Sequence, residues 1–109
     1  MAGVLDGITI IEMAGIGPGP FAGMMLADHG ARVIRIERVG APDMQGRDVL
    51  TRNREVIQID TKSPEGVAAF MKLAQTADVV VEAFGCDPPP AFVARMAARV
   101  VPAICATML

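Results

Sequence analysis

A turn rich in glycine and proline, between an apolar strand and a helix, is the stretch of this sequence best suited to chemistry. The pattern Gly17-x-Gly19-x-x-Ala22 matches the dinucleotide-binding form G-x-G-x-x-G/A, and Glu37 supplies an acidic residue at the end of the next strand. Pro18 and Pro20 argue against that function, because a phosphate cradle uses backbone N–H groups and proline has none. The sequence therefore favours a turn that brings backbone close to another group over a nicotinamide site. The alternative role of the glycines is chain geometry alone.

The other reactive side chains do not form a recognisable centre. Cys86 and Cys105 are 19 positions apart, and His29 is the single histidine, so neither a metal site nor a disulfide framework is predicted. Two free thiols fit a reducing compartment. His29 lies near a predicted helix end, where a cation interacts favourably with the helix dipole.

Strands and helices alternate along the first part of the chain. An apolar strand is predicted from Ile8 to Met13, followed by a helix from Pro20 to a glycine cap at Gly30. The helix is predicted to bury Phe21, Met24, Met25 and either Ala27 or Asp28. The second strand is predicted over Val33–Glu37. A long polar loop follows from Arg38 to Arg54 and carries arginines at both ends.

The alternation of strands and helices continues through the next part of the chain. A third strand is predicted over Val56–Ile59, and a helix begins at the cap Ser63 and ends near Gln75, with an apolar face at i, i+3, i+4 and i+7. Asp78–Phe84 is predicted as a fourth strand, with three consecutive valines at 79–81. Apolar strands separated by helices predict an α/β fold, a Rossmann-like parallel sheet with flanking helices.

Past Phe84 the character of the chain changes. Residues 85–90 read Gly-Cys-Asp-Pro-Pro-Pro, a stiff turn-rich break. The sequence leaves two alternatives beyond it, a short helix over 91–101 or a last strand within 100–108.

Composition excludes several classes of protein. The 109 residues are 52% hydrophobic, which indicates one small globular domain, and 10 Lys and Arg against 12 Asp and Glu give no basic excess for nucleic acid or acidic membrane. No apolar run reaches roughly 18 residues, and the first residues lack the pattern of a secretory leader, so a cytoplasmic location is expected.

The run from Ile8 to Met24, followed by Leu26 to Arg38, resembles the opening of the family III coenzyme A transferases. Its segment from Glu12 to Pro20 resembles the version of that opening found in the α-methylacyl-CoA racemases of the family. The resemblance continues through Arg47–Arg54, Ile59–Ser63 and Ala77–Phe84. It covers about residues 3 to 84 without an obvious gap.

The resemblance implies which residues bind coenzyme A (CoA), which enters as part of the substrate and not as a separate cofactor. It places Arg38 and Lys62 on the nucleotide half of CoA and the backbone of Ile59, Asp60, Thr61 and Lys62 along the adenine. Ala83 and Phe84 begin another CoA-contacting segment, whose arginine is missing here. Arg47, Arg52 and Arg54 are expected instead to be loop or salt-bridge residues.

The resemblance also predicts that the chain has two parts, because it stops near Phe84. In the family an Arg-Pro-Gly turn follows the position of Phe84, whereas Gly85-Cys86-Asp87 stands here. We therefore expect an N-terminal CoA-binding portion, residues 1–84, incomplete relative to the family fold, and a divergent tail, residues 85–109, from a frameshifted or truncated gene product.

The family reaction implied is removal and return of the α-proton of a 2-methylacyl-CoA thioester, an isomerase reaction of fatty acid metabolism. The histidine and acidic residue that perform it would lie beyond Leu109, so no catalytic residue is assigned and this chain alone is expected to be inactive. The alternatives are a family III CoA transferase and a non-enzymatic CoA-binding module. Family members form intertwined homodimers, which so short a chain is not expected to complete.

Overall fold

Five parallel strands form a single sheet in the computed structural model, which describes residues 3–15, 18–42, 49–82 and 103–105. Their bounds are β1 (Thr9–Met13), β2 (Arg32–Glu37), β3 (Arg54–Gln58), β4 (Val79–Glu82) and β5 (Ala103–Cys105). The order across the sheet is β3-β2-β1-β4-β5, which places β1 at its centre. The predicted α/β fold with a parallel sheet is confirmed.

Apolar strand residues form one buried cluster on each face of the sheet. Successive strand residues point to opposite faces, so the neighbours Ile10 and Ile11 of β1 join different clusters. Ile11 packs with Phe70 and Ala74 on one face, and Ile10 packs with Ala27 on the other. Continuous apolar strands are therefore required, because both faces are buried.

The first helix, α1 (Pro18–Asp28), begins two residues before the predicted start at Pro20. Its buried face consists of residues spaced i, i+3, i+4 and i+7, namely Pro20, Gly23, Met24 and Ala27. Phe21 and Met25 lie outside that face and are 54% and 41% exposed, so the prediction that they are buried is wrong. Phe21 and Met25 are residue types common in protein cores. The helix nevertheless packs against the sheet through the face that contains the small residues Gly23 and Ala27.

The end of α1 is fixed by a glycine and by a neighbouring turn. Gly30 has φ +101°, which confirms the predicted glycine at the helix end. Asp28, in the last turn, accepts hydrogen bonds from Arg52 and Asn53, and Asn53 itself has φ +60°. These contacts join the end of α1 to the turn that leads into β3.

The second helix, α2 (Pro64–Ala74), follows the predicted pattern closely. The Ser63 hydroxyl accepts a hydrogen bond from the Gly66 N–H at 3.0 Å, and Pro64 occupies the first turn. Phe70 and Ala74 are buried, and Met71 packs against the same cluster. The helix thus covers the sheet through the apolar face predicted from spacing.

The remaining connections differ in part from prediction. The long loop contains a 3₁₀ turn at Val49–Thr51, and β3 begins at Arg54, two residues before the predicted Val56. A strand is present at Ala103–Cys105, within the predicted alternative strand 100–108. The alternative helix over 91–101, and Ala83, Phe84 and Cys86, lie outside the described residues.

Candidate functional site

A pocket of about 560 Å³ opens at the carboxyl edge of β1, β2 and β3. Backbone and side chains from the ends of these three neighbouring strands line it, which is where ligands of open α/β sheets bind. The lining residues are Met13, Ala14, Gly15, Arg35, Ile36, Glu37, Arg38, Ala41, Pro42, Ile59 and Thr61.

Two arginines line this pocket, and their surroundings differ. Arg35 Nη1 pairs with Glu12 Oε2 at 2.5 Å and its Nε with Glu37 Oε1 at 2.9 Å, so its charge is balanced within the protein. Arg38 is exposed, and the described residues include no ion-pair partner for it. Arg38 is therefore the cation of the pocket wall that remains available to an anionic ligand.

The charge on Arg35 belongs to a buried network beneath α1. Arg54 Nη2 lies 2.7 Å from Glu12 Oε1, and both side chains are fully buried. Arg54 also donates to the Pro20 carbonyl oxygen in the first turn of α1. Burial raises the pKa of the Glu12 carboxyl, while the charges of Arg54 and Arg35 oppose that shift.

This network has a direct bearing on the fingerprint-like turn. The space beneath the first turn of α1 holds the Glu12 and Arg54 side chains, and a guanidinium bonds to the backbone there. A dinucleotide site would instead direct free N–H groups at a pyrophosphate. The argument against a nicotinamide cofactor stays a prediction from the sequence.

A tight loop between β3 and α2 contains four of the predicted site residues. Asp60 Oδ1 accepts from the Lys62 N–H at 3.0 Å, and the Asp60 carbonyl accepts from the N–H and hydroxyl of Ser63. Gly66 packs so closely on the Asp60 carbonyl that a Cβ there would overlap it. Contacts of Ser63 and Gly66, at the start of α2, with the Asp60 carbonyl therefore hold this loop in place.

The predicted CoA-binding residues separate into three groups. Arg38, Ile59 and Thr61 line the pocket and lie together at the sheet edge. Asp60 and Lys62 belong to the adjoining loop, where both are exposed and neither is part of the lining. Ala83 and Phe84 lie outside the described residues, so their placement stays a prediction.

A turn after β2 forms the outer wall of the pocket. The Ala41 N–H donates to the Arg38 carbonyl at 3.2 Å, and Gly40 has φ +85°, as a type II turn requires at its third position. Gln58, the last residue of β3, holds this turn from outside. Its Oε1 accepts from the Gly40 N–H at 3.3 Å, and its Nε2 donates to the Ala41 carbonyl at 3.1 Å.

Sequence reasoning did not single out the buried network or Gln58. One signal was present, because Glu12 and Arg35 are charged residues inside otherwise apolar strands, where charges are buried only when paired. Arg54 was expected to be a loop or salt-bridge residue, and it and Arg52 do form ion pairs. Nothing in its type or position distinguished Gln58.

Among the described residues, no cluster of three or more His, Cys, Asp or Glu side chains has the arrangement of a metal site. His29 bonds through Nδ1 to the Met25 carbonyl near the end of α1. No helix in the described ranges combines the length and apolarity needed to cross a bilayer.

Comparison with known proteins gives a consistent family match. The pattern of CoA-transferase family III matches residues 5–92. The mouse protein "Alpha-methylacyl-CoA racemase" is 41% identical over 83 residues, which are 76% of this chain and 21% of that protein. The Agrobacterium fabrum "Succinate--glutarate CoA-transferase" is 38% identical over 102 residues, covering 76% of this chain and 26% of that protein.

Solved structures give the same result. A Mycobacterium tuberculosis protein, Rv3272, superposes with a TM-score of 0.79 at 29% identity, over 97% of this chain and 32% of its own. A Brucella suis CAIB/BAIF family protein has a TM-score of 0.79 at 25% identity, over 98% of this chain and 33% of its own. The present chain thus spans between about a fifth and a third of the length of these relatives.

Proposed function

The chain belongs to CoA-transferase family III, and from that premise we propose that its carboxyl-edge pocket binds the nucleotide half of an acyl-CoA thioester. The observation that carries the proposal is the exposed guanidinium of Arg38, which has no ion-pair partner among the described residues, beside a pocket formed by the ends of three parallel strands. CoA presents a 3′-phosphate and a pyrophosphate, and arginine binds phosphate oxygens through charge-assisted hydrogen bonds.

The loop before α2 supplies the second half of the proposed site. Ile59 and Thr61 offer backbone and apolar surface to the adenine, and Lys62 adds a cation at the rim. The hydrogen bonds between Asp60 and the start of α2 give this loop a fixed shape, which lowers the entropy cost of binding. Ala83 and Phe84 complete the proposed set.

For the whole enzyme, we favour racemisation at C2 of a 2-methylacyl-CoA thioester. The racemase relative is 41% identical, against 38% for the transferase, which supports this order. Removal and return of the α-proton needs a base on each face of the carbon and stabilisation of an enolate. None of the residues assigned here performs those steps, so we expect this chain to bind CoA and to catalyse nothing alone.

Two alternatives remain, and each makes a different prediction. A family III CoA transferase would exchange CoA between two acids, which is measurable on a longer protein that continues this sequence in frame. A non-enzymatic CoA-binding module would give a folded, soluble chain that binds CoA with no such continuation. A cytoplasmic location and a role in fatty acid metabolism belong to the racemase proposal.

Isothermal titration of the 109-residue chain with CoA tests the binding proposal. We expect Arg38→Gln to weaken CoA binding by about tenfold or more, since a hydrogen bond to a charged group contributes about 1.5–3 kcal/mol. Lys72→Gln is the matched control, because it removes an exposed cation in the last turn of α2, away from the pocket lining. Undetectable binding by the unsubstituted chain, or equal affinities for the Arg38 variant and the unsubstituted chain, would refute the assigned site.

A further inference from the structure

The outer wall of the pocket is held by a residue that does not line the pocket. Gln58 and Glu37 are partners in the parallel register of β3 and β2, and the Ile59 N–H donates to the Glu37 carbonyl at 2.9 Å. This pairing brings the Gln58 side chain beside the turn that follows β2. Its amide then satisfies two groups of that turn, the Gly40 N–H and the Ala41 carbonyl.

The chemistry of the contact requires an amide. The turn presents one donor and one acceptor on its outer side, and a glutamine side chain offers one acceptor and donors from a single planar group. A carboxylate could accept from the Gly40 N–H but could not donate to the Ala41 carbonyl. An apolar side chain would leave both groups to water.

The turn itself determines the shape of the site. The turn begins at Arg38, whose carbonyl accepts a hydrogen bond from the Ala41 N–H. Ala41 and Pro42, at its other end, also line the pocket. A shift of this turn would move the proposed phosphate-binding guanidinium and the outer wall together. Glycine at its third position makes the turn easy to form but does not hold it in one conformation.

We infer that Gln58 is a positioning residue for the nucleotide half of CoA, acting through the turn from Arg38 to Ala41. This inference rests on the proposed CoA function. Ordering the turn before the ligand arrives reduces the entropy lost on binding, so the contribution is expected in affinity. The side chain is exposed, and its loss should not disturb the core.

The test compares Gln58→Glu and Gln58→Met with Gln75→Glu. Gln75 is an exposed residue at the end of α2, so its substitution introduces the same charge change away from the pocket. Binding of CoA and of adenosine 3′,5′-bisphosphate is measured by isothermal titration on the 109-residue chain. We expect both Gln58 variants to lose about five- to tenfold in affinity for both ligands, and Gln75→Glu to lose less than twofold.

Two further readouts separate positioning from general stability. Hydrogen exchange at the Gly40 N–H should accelerate in Gln58→Met, because its acceptor is gone. The urea midpoint of unfolding should stay near that of the unsubstituted chain. A Gln58 variant that binds both ligands as tightly as the unsubstituted chain would overturn this inference alone, whereas absence of binding by the unsubstituted chain would overturn the proposed function with it.

Discussion

The α-carbon of Gly23 faces the buried carboxylate of Glu12, and a methyl group at that position would overlap Glu12 Oε1. The same methyl group would lie 2.5 Å from Arg54 Nη2. Helix α1 can therefore approach the ion pair only through a residue without a side chain. This contact joins the helix to the buried ion pairs of the sheet.

The first prediction concerns this contact. Gly23→Ala should lower the free energy of unfolding by about 1–3 kcal/mol, since overpacking at a buried site outweighs the gain in helix propensity. Urea unfolding followed by circular dichroism measures the change. In a Glu12→Ala background, Gly23→Ala should lower the free energy of unfolding by a clearly smaller amount, because the overlapping carboxylate is absent. Equal losses of stability in both backgrounds would contradict the proposed clash.

A second prediction concerns the balance of charge in the same cluster. Glu12→Gln should destabilise the chain by about 3–5 kcal/mol, because it removes the carboxylate charge that pairs with the buried guanidinium of Arg54. The urea midpoint and slope give this value. Glu55→Gln is the control, since it breaks an exposed pair with Arg32 and should change stability far less.

The cap of α2 gives a third prediction. Ser63→Ala should lower the free energy of unfolding by about 1 kcal/mol, because the Gly66 N–H loses its acceptor. Ser63→Thr keeps the hydroxyl and should retain most of the stability. Faster hydrogen exchange at the Gly66 N–H in the alanine variant, but not in the threonine variant, would identify the cap as the cause.

A fourth prediction concerns pH. The hydrogen bond from Arg52 lowers the pKa of Asp28 from its usual value of 3.8. A carboxyl whose pKa is lower in the folded state stabilises the fold above its unfolded pKa, and that contribution disappears as the pH falls through the folded value. Arg52→Gln should therefore be less stable than the unsubstituted chain near pH 7, with the gap closing below about pH 4.

The control for this experiment is Arg38→Gln, which also removes one exposed arginine but has no ion-pair partner among the described residues. Its stability relative to the unsubstituted chain should not change in the same way between pH 7 and pH 3. High salt should reduce the effect of Arg52→Gln, because the pair is exposed to solvent. A gap that is constant with pH would show that Asp28 is not the linked group.

Much of the fold follows from local patterns. The continuous apolar runs that form β1, β2 and β4 predict strands buried on both faces of a sheet. Ser63 and Pro64 predict the start of α2. The burial of α1 could not be predicted in the same way. Phe21 and Met25 have core residue types, but a helix turns only one face to the sheet, and here Gly23 and Met24 occupy it.

The candidate site was predictable only where it depends on strand ends. Arg38 and Lys62 were expected near a sheet edge because they follow predicted strands; Arg38 lines the pocket, whereas Lys62 lies in the adjoining loop outside the lining. The contacts made by Glu12 and Gln58 depend on strand register and on the exact path of a turn. Those features arise from long-range pairing, which residue type and spacing do not specify.

The central position of β1 also affects the order in which the chain can fold during synthesis. On one side β1 pairs with β2, which follows within about two dozen residues, whereas on the other side it pairs with β4, where Ile10 meets Val79. Until β4 leaves the ribosome, one edge of an apolar strand has no partner. We therefore expect nascent chains of this protein to pass through a stage that favours strand-to-strand aggregation or chaperone capture, and to leave it when β4 adds to the sheet.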